Sequence, residues 1–260
     1  MKTGPAPAGP SVYGRTVVMM PATAQPHRDV RSRRPLKLAV LDMSGTTVDE
    51  GGLQDEAFTT AILQEGIEPG GSRSDAMVGY FREARGTSRH EIFRSIFAED
   101  PVAARRANAC FEHTYDRLLA ERGVRPVDGA AEAVAELREA GMKIVLTTGF
   151  ARHTQNMILE SLGWMGVSDL SLCPSDAGRG APYPDMILTA LLALDLEDVR
   201  SVMTVGDTAG DIRAGQRAGA GLTVGVLTGY HDEVVLSGAG ATAVVPSIRD
   251  VPALVTGARC

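Results

Sequence analysis

An apolar run of strand length at residues 36–41 ends abruptly at Asp42, and this feature constrains the fold of the chain more than any other. The turn that follows contains Gly45 and two hydroxyl residues, Thr46 and Thr47. A carboxylate at the end of a buried strand needs a cationic partner or a metal, because burial removes its hydration. Ligands of open α/β sheets collect at the carboxyl ends of the strands. Two interpretations follow: a phosphate and metal site in which Thr46 contacts the ligand, or an ordinary strand end whose aspartate caps a helix.

The composition is that of a globular protein with a full apolar core. The 260 residues are 44% hydrophobic, and this length predicts one domain with an insertion or a tail. A formal net charge of -6 argues against a nucleic-acid partner. The three scattered cysteines form neither a disulfide framework nor a zinc motif, and no apolar run approaches the roughly 20 residues needed to span a bilayer. We therefore expect a cytoplasmic protein without a membrane partner.

Three parts of the chain differ in pattern. Residues 1–34 are rich in proline and arginine without periodicity, which predicts a flexible N-terminal tail. Residues 53–125 carry about three amphipathic helices with no strand between them, and so long an insertion exceeds the single helix of a βαβ crossover. We interpret this insertion as a small helical cap. Residues 35–52 and 126–260 then form the catalytic core.

Strands and helices alternate regularly after residue 127. Gly141 stands where a helix is expected to end, since glycine adopts the left-handed C-terminal conformation without strain. The alternation predicts an α/β fold: a doubly wound, Rossmann-like parallel sheet with helices on both faces, carrying the inserted cap. The predicted strands lie at residues 143–148, 170–172, 201–206, 222–227 and 242–245, and the predicted helices at residues 129–140, 153–162, 184–194 and 211–218.

Polar groups follow three of the predicted strands at the same edge of the sheet. Asp42 follows the first, Thr148 the second, and Asp207 and Asp211 the third. Converging carboxylates repel one another unless a cation neutralises them, and a site made of oxygen ligands suits Mg²⁺. Arg179 lies in a loop that returns to this edge and is predicted to supply its positive side chain. The sequence thus predicts a magnesium and phosphate site.

The four motifs that carry these residues resemble, in their order, those of the haloacid dehalogenase superfamily of phosphotransferring hydrolases. They are DMSGTT at residues 42–47, TTG at residues 147–149, GRGAPYPD at residues 178–185 and GDTAGD at residues 206–211. The string DMSGTTVDE is most similar to the phosphonatase-like branch, the relatives of phosphonoacetaldehyde hydrolase. The resemblance runs from residue 36 nearly to the end of the chain and includes the helical cap inserted after the first motif.

The resemblance implies a catalytic and metal-binding role for four residues. Asp42 would be the nucleophile that attacks phosphorus and forms an aspartyl-phosphate. Asp42, Asp207 and the backbone carbonyl of Ser44 would hold Mg²⁺. Asp211 would act through water or by orienting its neighbours.

It also implies which groups bind the transferring phosphoryl group. Thr148 and the amide of Gly149 would donate hydrogen bonds to it, and Arg179 would neutralise phosphate and nucleophile together. The same demand follows from the chemistry, because phosphoryl transfer is chiefly positioning and charge neutralisation around the phosphoryl oxygens.

Ser44 departs from the pattern of ordinary phosphatases in this superfamily. They carry a second aspartate two positions after the nucleophile, which protonates the leaving alcohol and then activates water. A serine hydroxyl without a partner base is a poor general acid. The phosphonatase branch lacks this aspartate too, and relies instead on an imine formed by a lysine of the cap.

That lysine is missing as well. The segment GTSRHE at residues 86–91 looks like the stretch that carries it, and Arg89 occupies its position; no lysine lies between Lys37 and Lys143. Arginine stays protonated and cannot form the Schiff base. Arg89 would either bind a carboxylate or phosphate of the substrate in a bidentate way or lie exposed on a helix.

The sequence therefore predicts a Mg²⁺-dependent phosphohydrolase that acts on a small phosphorylated metabolite. Two alternatives remain open: a phosphonate hydrolase that needs no Schiff-base lysine, and a catalytically weakened protein that binds or senses a phosphometabolite. No single residue identifies the substrate. Relatives of this branch are often dimers through the cap, which makes a homodimer one expectation.

Overall fold

The structure, a computed structural model, describes Met1 and residues 35–256. Of the predicted tail at residues 1–34 it therefore describes only the first residue, and the prediction of flexibility lies outside the described residues. No helix among the described residues is long and apolar enough to cross a bilayer.

Six parallel strands form the central sheet in the order β5-β4-β1-β6-β7-β8. The first strand lies inside the sheet, and its last residue, Asp42, pairs in register with Thr147 of β4. This order confirms the predicted α/β class with a doubly wound parallel sheet. The strands are Leu38–Asp42 (β1), Lys143–Thr147 (β4), Leu170–Leu172 (β5), Val202–Gly206 (β6), Leu222–Val226 (β7) and Ala243–Val245 (β8).

Helices cover both faces of the sheet because alternate residues of β1 point to opposite sides. Leu38 and Val40 pack in one apolar cluster with residues of α8, whereas Ala39 and Leu41 belong to the cluster that contains α5 and α6. The core helices are Ala130–Glu139 (α5), Arg152–Ser161 (α6), Pro174–Ala177 (α7), Asp185–Ala193 (α8), Ala209–Ala218 (α9), Glu233–Gly238 (α10) and Val251–Thr256 (α11), with 3₁₀ turns at Val199–Ser201 and Ile248–Asp250.

Four helices stand between β1 and β4, inserted within a short antiparallel ladder formed by Val48–Asp49 (β2) and Arg125–Pro126 (β3). The ladder brings the two ends of the insertion together. The sequence predicted about three helices here and missed α2, because only two of its residues, Ser74 and Phe81, are buried and no apolar stripe marks it. The four helices are Leu53–Gln64 (α1), Ser72–Glu83 (α2), Arg89–Ile96 (α3) and Pro101–Arg122 (α4).

Stacked aromatic rings form the core of the inserted helices. Phe58 lies 4.2 Å from Phe81 and 5.6 Å from Phe93, measured between ring centroids. The Tyr115 ring contacts the tilted ring of Phe150, in the core outside the insertion, at 4.4 Å. Aromatic pairs at such separations add to the free energy of burial. The aromatic core thus reaches from the insertion to the loop that follows β4, where the functional residues lie.

Candidate active site

Three carboxylates meet at the carboxyl edge of the sheet. Asp42 ends β1, Asp207 follows β6, and Asp211 lies in the first turn of α9. One oxygen atom from each lies within 4.8 Å of the others. The predicted convergence of the first and fourth motifs is therefore present in the structure.

This grouping is electrostatically unfavourable on its own. Burial raises the pKa of Asp42 well above its usual range, and the negative charges of Asp211 and Asp207 raise it further. Burial and the charge of Asp211 likewise raise the pKa of Asp207 well above its usual range, and burial raises the pKa of Asp211. A hard divalent cation would relieve this repulsion, because it prefers carboxylate oxygens and favours their charged form. The donor set thus fits Mg²⁺.

Local hydrogen bonds hold Asp207, which is fully buried. Its Oδ1 accepts a bond from the Thr46 hydroxyl at 3.1 Å, and its Oδ2 accepts one from the Tyr230 amide at 2.9 Å. Gly45 makes the approach possible, since a Cβ there would lie 2.6 Å from the same Oδ2 and its φ is 83°. The structure therefore places Thr46 against one of the three clustered carboxylates, where its hydroxyl orients Asp207.

A helix terminus holds Asp211. Thr208 is the N-cap of α9, and its amide and hydroxyl donate to Asp211 Oδ2 at 3.1 and 2.5 Å. Asp211 in turn belongs to a capping box, which engages its Oδ2 within the first turn. The helix begins earlier than the sequence predicted, at Ala209, because the cap residue precedes Asp211 by three positions.

Thr148 and Gly149 form the floor of the site after β4. Thr148 is buried, and its hydroxyl accepts a bond from the Phe150 amide at 3.3 Å. A Cβ at Gly149 would lie 2.8 Å from Nη1 of Arg89. Glycine thus lets a guanidinium from the insertion approach the backbone of the second motif.

Arg89 is buried, with 9% of its surface exposed, so the alternative of an exposed helix arginine is wrong. Its Nη2 donates to Gln54 Oε1 at 2.8 Å, and its guanidinium carbon lies 4.5 Å from the centroid of the Phe150 ring. Its Nε has no partner among the described residues. Burial lowers the pKa of Arg89, while the charges of Glu50 and Asp42 oppose this shift.

Arg85 is a second buried cation that the sequence did not predict. Its surface is 5% exposed, it forms an ion pair with Asp55, and its guanidinium carbon lies 3.4 Å from the ring centroid of Tyr230. Burial lowers the pKa of Arg85 to about 10, which leaves it protonated at neutral pH. The only sequence signal is that Arg85 and Arg89 bracket the segment at residues 86–88.

Arg179 does not line the active site in the structure. The prediction that this residue supplies the positive charge of the site is therefore not met by its position. Its Nε and Nη2 donate to Asp185 at 2.8 and 2.9 Å, its guanidinium stacks over Tyr183, and its side chain is 57% exposed. A carboxylate six residues along the chain holds the guanidinium outside, in a bidentate pair. The cations at the site come from the insertion instead.

Ser44 has a partner that sequence reasoning missed. Its hydroxyl donates to Oε1 of Glu50, a buried carboxylate with 6% of its surface exposed. Oε2 of Glu50 accepts a bond from Gln54 Nε2 at 2.6 Å. The prediction treated Ser44 as a hydroxyl without a partner base, and the structure corrects that.

A small cavity, the active-site chamber, lies between the core and the insertion. Its volume is about 30 Å³, which is room for about one water molecule. The two parts touch directly beside it, where a Cβ at Gly86 would lie 2.3 Å from the Thr208 hydroxyl. The chamber is lined by Asp42, Ser44, Gln54, Arg85, Gly86, Arg89, Thr148, Gly149, Ala181, Met186, Thr208, Asp211 and Tyr230.

Known proteins are similar to this chain in sequence and in fold. A family model described as haloacid dehalogenase-like hydrolase matches residues 36–219. Phosphonoacetaldehyde hydrolase from Bacillus cereus is 28% identical over 207 residues, which are 76% of this chain and 78% of that protein. Phosphonoacetaldehyde hydrolase from Nitratidesulfovibrio vulgaris is 30% identical over 214 residues, which are 76% of this chain and 74% of that protein. A crystal structure of a phosphonoacetaldehyde hydrolase-like protein from Oleispira antarctica matches with a TM-score of 0.73 at 24% identity, and covers 90% of this chain and 96% of that one.

The family match contains β1, the whole insertion and all three clustered carboxylates, Asp42, Asp207 and Asp211. It also covers well over half of the chain. The protein therefore belongs to the haloacid dehalogenase-like hydrolases and is similar to their phosphonoacetaldehyde hydrolase-related branch.

Proposed function

We propose that this hydrolase acts on a small phosphorylated metabolite through an aspartyl-phosphate on Asp42 and depends on Mg²⁺. One observation carries the proposal: a chamber lined by Asp42 and Asp211, two of the three clustered carboxylates, and by a buried arginine, Arg89, whose Nε has no partner among the described residues. Such a chamber offers a nucleophile, a cation site and a donor for phosphoryl oxygens within a few ångströms. This combination is what phosphoryl transfer requires.

In the proposed reaction, a carboxylate oxygen of Asp42 attacks phosphorus and the bond from phosphorus to the leaving oxygen breaks, and that oxygen keeps the electron pair and takes a proton from water to leave as the alcohol. The hydroxyl of Thr148 and the amide of Gly149 line the chamber and would donate to the phosphoryl oxygens. Asp42, Asp207, Asp211 and the Ser44 carbonyl would hold Mg²⁺, which supplies charge neutralisation when bound. Water then hydrolyses the aspartyl-phosphate and regenerates Asp42.

We assign to Arg89 the charge-neutralising role that the sequence gave to Arg179. Arg89 lines the chamber, approaches Gly149 and keeps Nε free, whereas Arg179 is committed to Asp185. Because Arg89 belongs to the insertion, residues 53–125 would act as a cap whose closure completes the site. The chamber has a volume of about 30 Å³, less than a metabolite occupies, so the proposal requires the cap to open for substrate entry.

Arg89→Met and Arg179→Met are expected to differ sharply. Methionine keeps most of the buried volume of Arg89 but removes the cation, so kcat/KM should fall by about 10²- to 10³-fold, as when one transition-state donor is lost. Arg179→Met is the matched control and should change kcat/KM less than about threefold, because Arg179 faces solvent. Steady-state phosphate release measures both. A larger loss of kcat/KM in Arg179→Met than in Arg89→Met would assign the charge-neutralising role to Arg179 instead.

The experiment that tests the function is phosphate release from a panel of phosphate esters and phosphonates, with Mg²⁺ and with EDTA. The proposal expects Mg²⁺-dependent release from at least one phosphate ester. Release from phosphonates alone would overturn it.

That outcome would support a second candidate, a phosphonate hydrolase, which is favoured by the similarity to the two phosphonoacetaldehyde hydrolases. The described residues that line the chamber include no lysine, so none of them can form an imine with a substrate. A phosphonate substrate would then have to carry its own electron sink, such as a carbonyl beside the cleaved bond.

A further inference from the structure

A chain of three hydrogen bonds connects Ser44, two positions after the nucleophile, to Arg89, which lines the chamber. The Ser44 hydroxyl donates to Oε1 of Glu50, Gln54 Nε2 donates to Oε2 of Glu50, and Arg89 Nη2 donates to Gln54 Oε1. Glu50, Gln54 and Arg89 are all buried. Both oxygens of Glu50 are thus engaged, and each bond constrains the direction of the next.

The first bond in this chain of hydrogen bonds decides what Ser44 can do. A serine hydroxyl has one hydrogen and two lone pairs. Glu50 takes the hydrogen, so the Ser44 oxygen can only accept a hydrogen bond from a molecule in the chamber that it lines. The chamber has room for about one water molecule.

Glu50 does not serve the helix that follows it. The N-cap of α1 is Gly52, which makes no side-chain bond, and the carbonyl of Glu50 already accepts from the Leu53 amide. Its carboxylate turns inward to Ser44 instead of accepting a bond from an amide in the first turn of α1, although an acidic group is favourable at a helix N-terminus. An apolar side chain would bury at lower cost than this carboxylate. Helix formation therefore does not explain the placement of Glu50.

We propose that Glu50 is a positioning residue that holds the Ser44 hydroxyl as the acceptor for the water molecule that hydrolyses the aspartyl-phosphate. The inference rests on the proposed function. In this step the water oxygen bonds to phosphorus, the bond from phosphorus to the Asp42 oxygen breaks, and its electron pair returns to the carboxylate. Both water hydrogens leave with the product as dihydrogen phosphate. Ser44 gains and loses no proton; it fixes the direction of attack.

The hydrolytic step can be isolated without knowing the natural substrate. Inorganic phosphate and H₂¹⁸O, incubated with the protein and Mg²⁺, exchange oxygen only if phosphate forms the aspartyl-phosphate and water attacks it again. Mass spectrometry of phosphate measures this rate. Ser44→Ala and Glu50→Gln should each slow the maximal exchange rate by about 10- to 100-fold, the value of a hydrogen bond to a charged group. Glutamine at position 50 would present an amide NH₂ either to Ser44 or to Gln54, and so would break one bond of this chain of hydrogen bonds.

Asp116→Asn is the matched control, because Asp116 accepts a bond from the buried Thr154 hydroxyl at 2.7 Å outside the chamber. This variant should exchange at the wild-type rate. A merely structural role for Glu50 would lower the melting temperature or weaken phosphate binding, so thermal unfolding and the half-saturating phosphate concentration are measured as well. We expect neither to account for the loss of rate in Glu50→Gln.

The outcomes separate the two proposals. Wild-type exchange that persists unchanged in folded Glu50→Gln and Ser44→Ala would overturn the positioning role and leave the proposed function intact. No exchange in the wild type, together with no phosphate release from the ester panel, would overturn the proposed function and this inference with it. Equal slowing in Asp116→Asn would show that the effect is not specific to the chamber.

Discussion

Asp42→Asn is expected to lower kcat by at least about 10⁴-fold, because the amide cannot form the aspartyl-phosphate. The same substitution should stabilise the metal-free protein at neutral pH by about 1 to 2 kcal/mol. Burial and the charges of Asp211 and Asp207 make an ionised Asp42 costly, and these causes raise its pKa well above the usual range. Asparagine has the same shape without the charge.

Phosphate release and thermal unfolding in EDTA measure the two effects. Glu139→Gln, the same chemical change on the exposed face of α5, is the control and should alter neither quantity. A stable Asp42→Asn variant that still turns over substrate would exclude Asp42 as the nucleophile. Loss of activity with loss of stability would indicate that Asp42 is structural.

Both buried arginines of the site belong to the insertion and not to the sheet edge. Arg85 follows the end of α2 and Arg89 begins α3, whereas the carboxylates Asp42, Asp207 and Asp211 belong to the sheet edge. Opening of the insertion, as proposed, would separate the carboxylates from their arginine neighbours, so only the closed form would bring both charges together. Closure and charge complementarity would therefore occur in one event, which keeps the reactive form of the site shielded from bulk water.

The positions of the carboxylates could be predicted from the sequence because all strands of a parallel sheet run in the same direction. Parallel strands end at one edge, so residues after β1 and β6 must converge there, and the structure brings Asp42 and Asp207 together as expected. The boundaries of the sheet strands agree with the apolar runs for the same reason: a buried strand is marked by its own side chains.

The positions of the buried polar partners could not be predicted, because they depend on side-chain directions across turns. Glu50 reaches Ser44 only because the chain reverses between them, with the Gly45 amide bonded to the Val48 carbonyl. Arg179 stands at the motif position of a phosphate ligand, but its guanidinium forms a bidentate ion pair with Asp185 instead. No periodicity or motif encodes such competition between partners. The alternative of a catalytically weakened binding protein rests on the absence of the second aspartate, whose position Ser44 occupies, and it stays a prediction.

The metal-free protein should become less stable as pH rises, and Mg²⁺ should reverse this. The folded pKa values of Asp42, Asp207 and Asp211 lie above the ordinary value of 3.8. At pH values between the ordinary pKa and the raised pKa values, the folded state holds more protons than the unfolded state. The free energy of unfolding therefore falls as pH rises through this range, and it stops falling above the raised pKa values. Mg²⁺ binds the deprotonated carboxylates and competes with protons, so its stabilisation should be larger at about pH 8 than at about pH 5.

At a Mg²⁺ concentration about 100-fold above its Kd, the stabilisation should approach about 2.7 kcal/mol. Thermal unfolding after EDTA treatment, with and without added Mg²⁺, measures it at both pH values. Asp207→Asn should lose most of the Mg²⁺ response, because Asp207 is the fully buried member of the cluster. Asp169→Asn, which alters a carboxylate paired with Lys143 away from the chamber, should keep the response. A Mg²⁺ effect of equal size at both pH values would mean that the ion binds elsewhere, since only carboxylates with raised pKa values link metal binding to protons in this range.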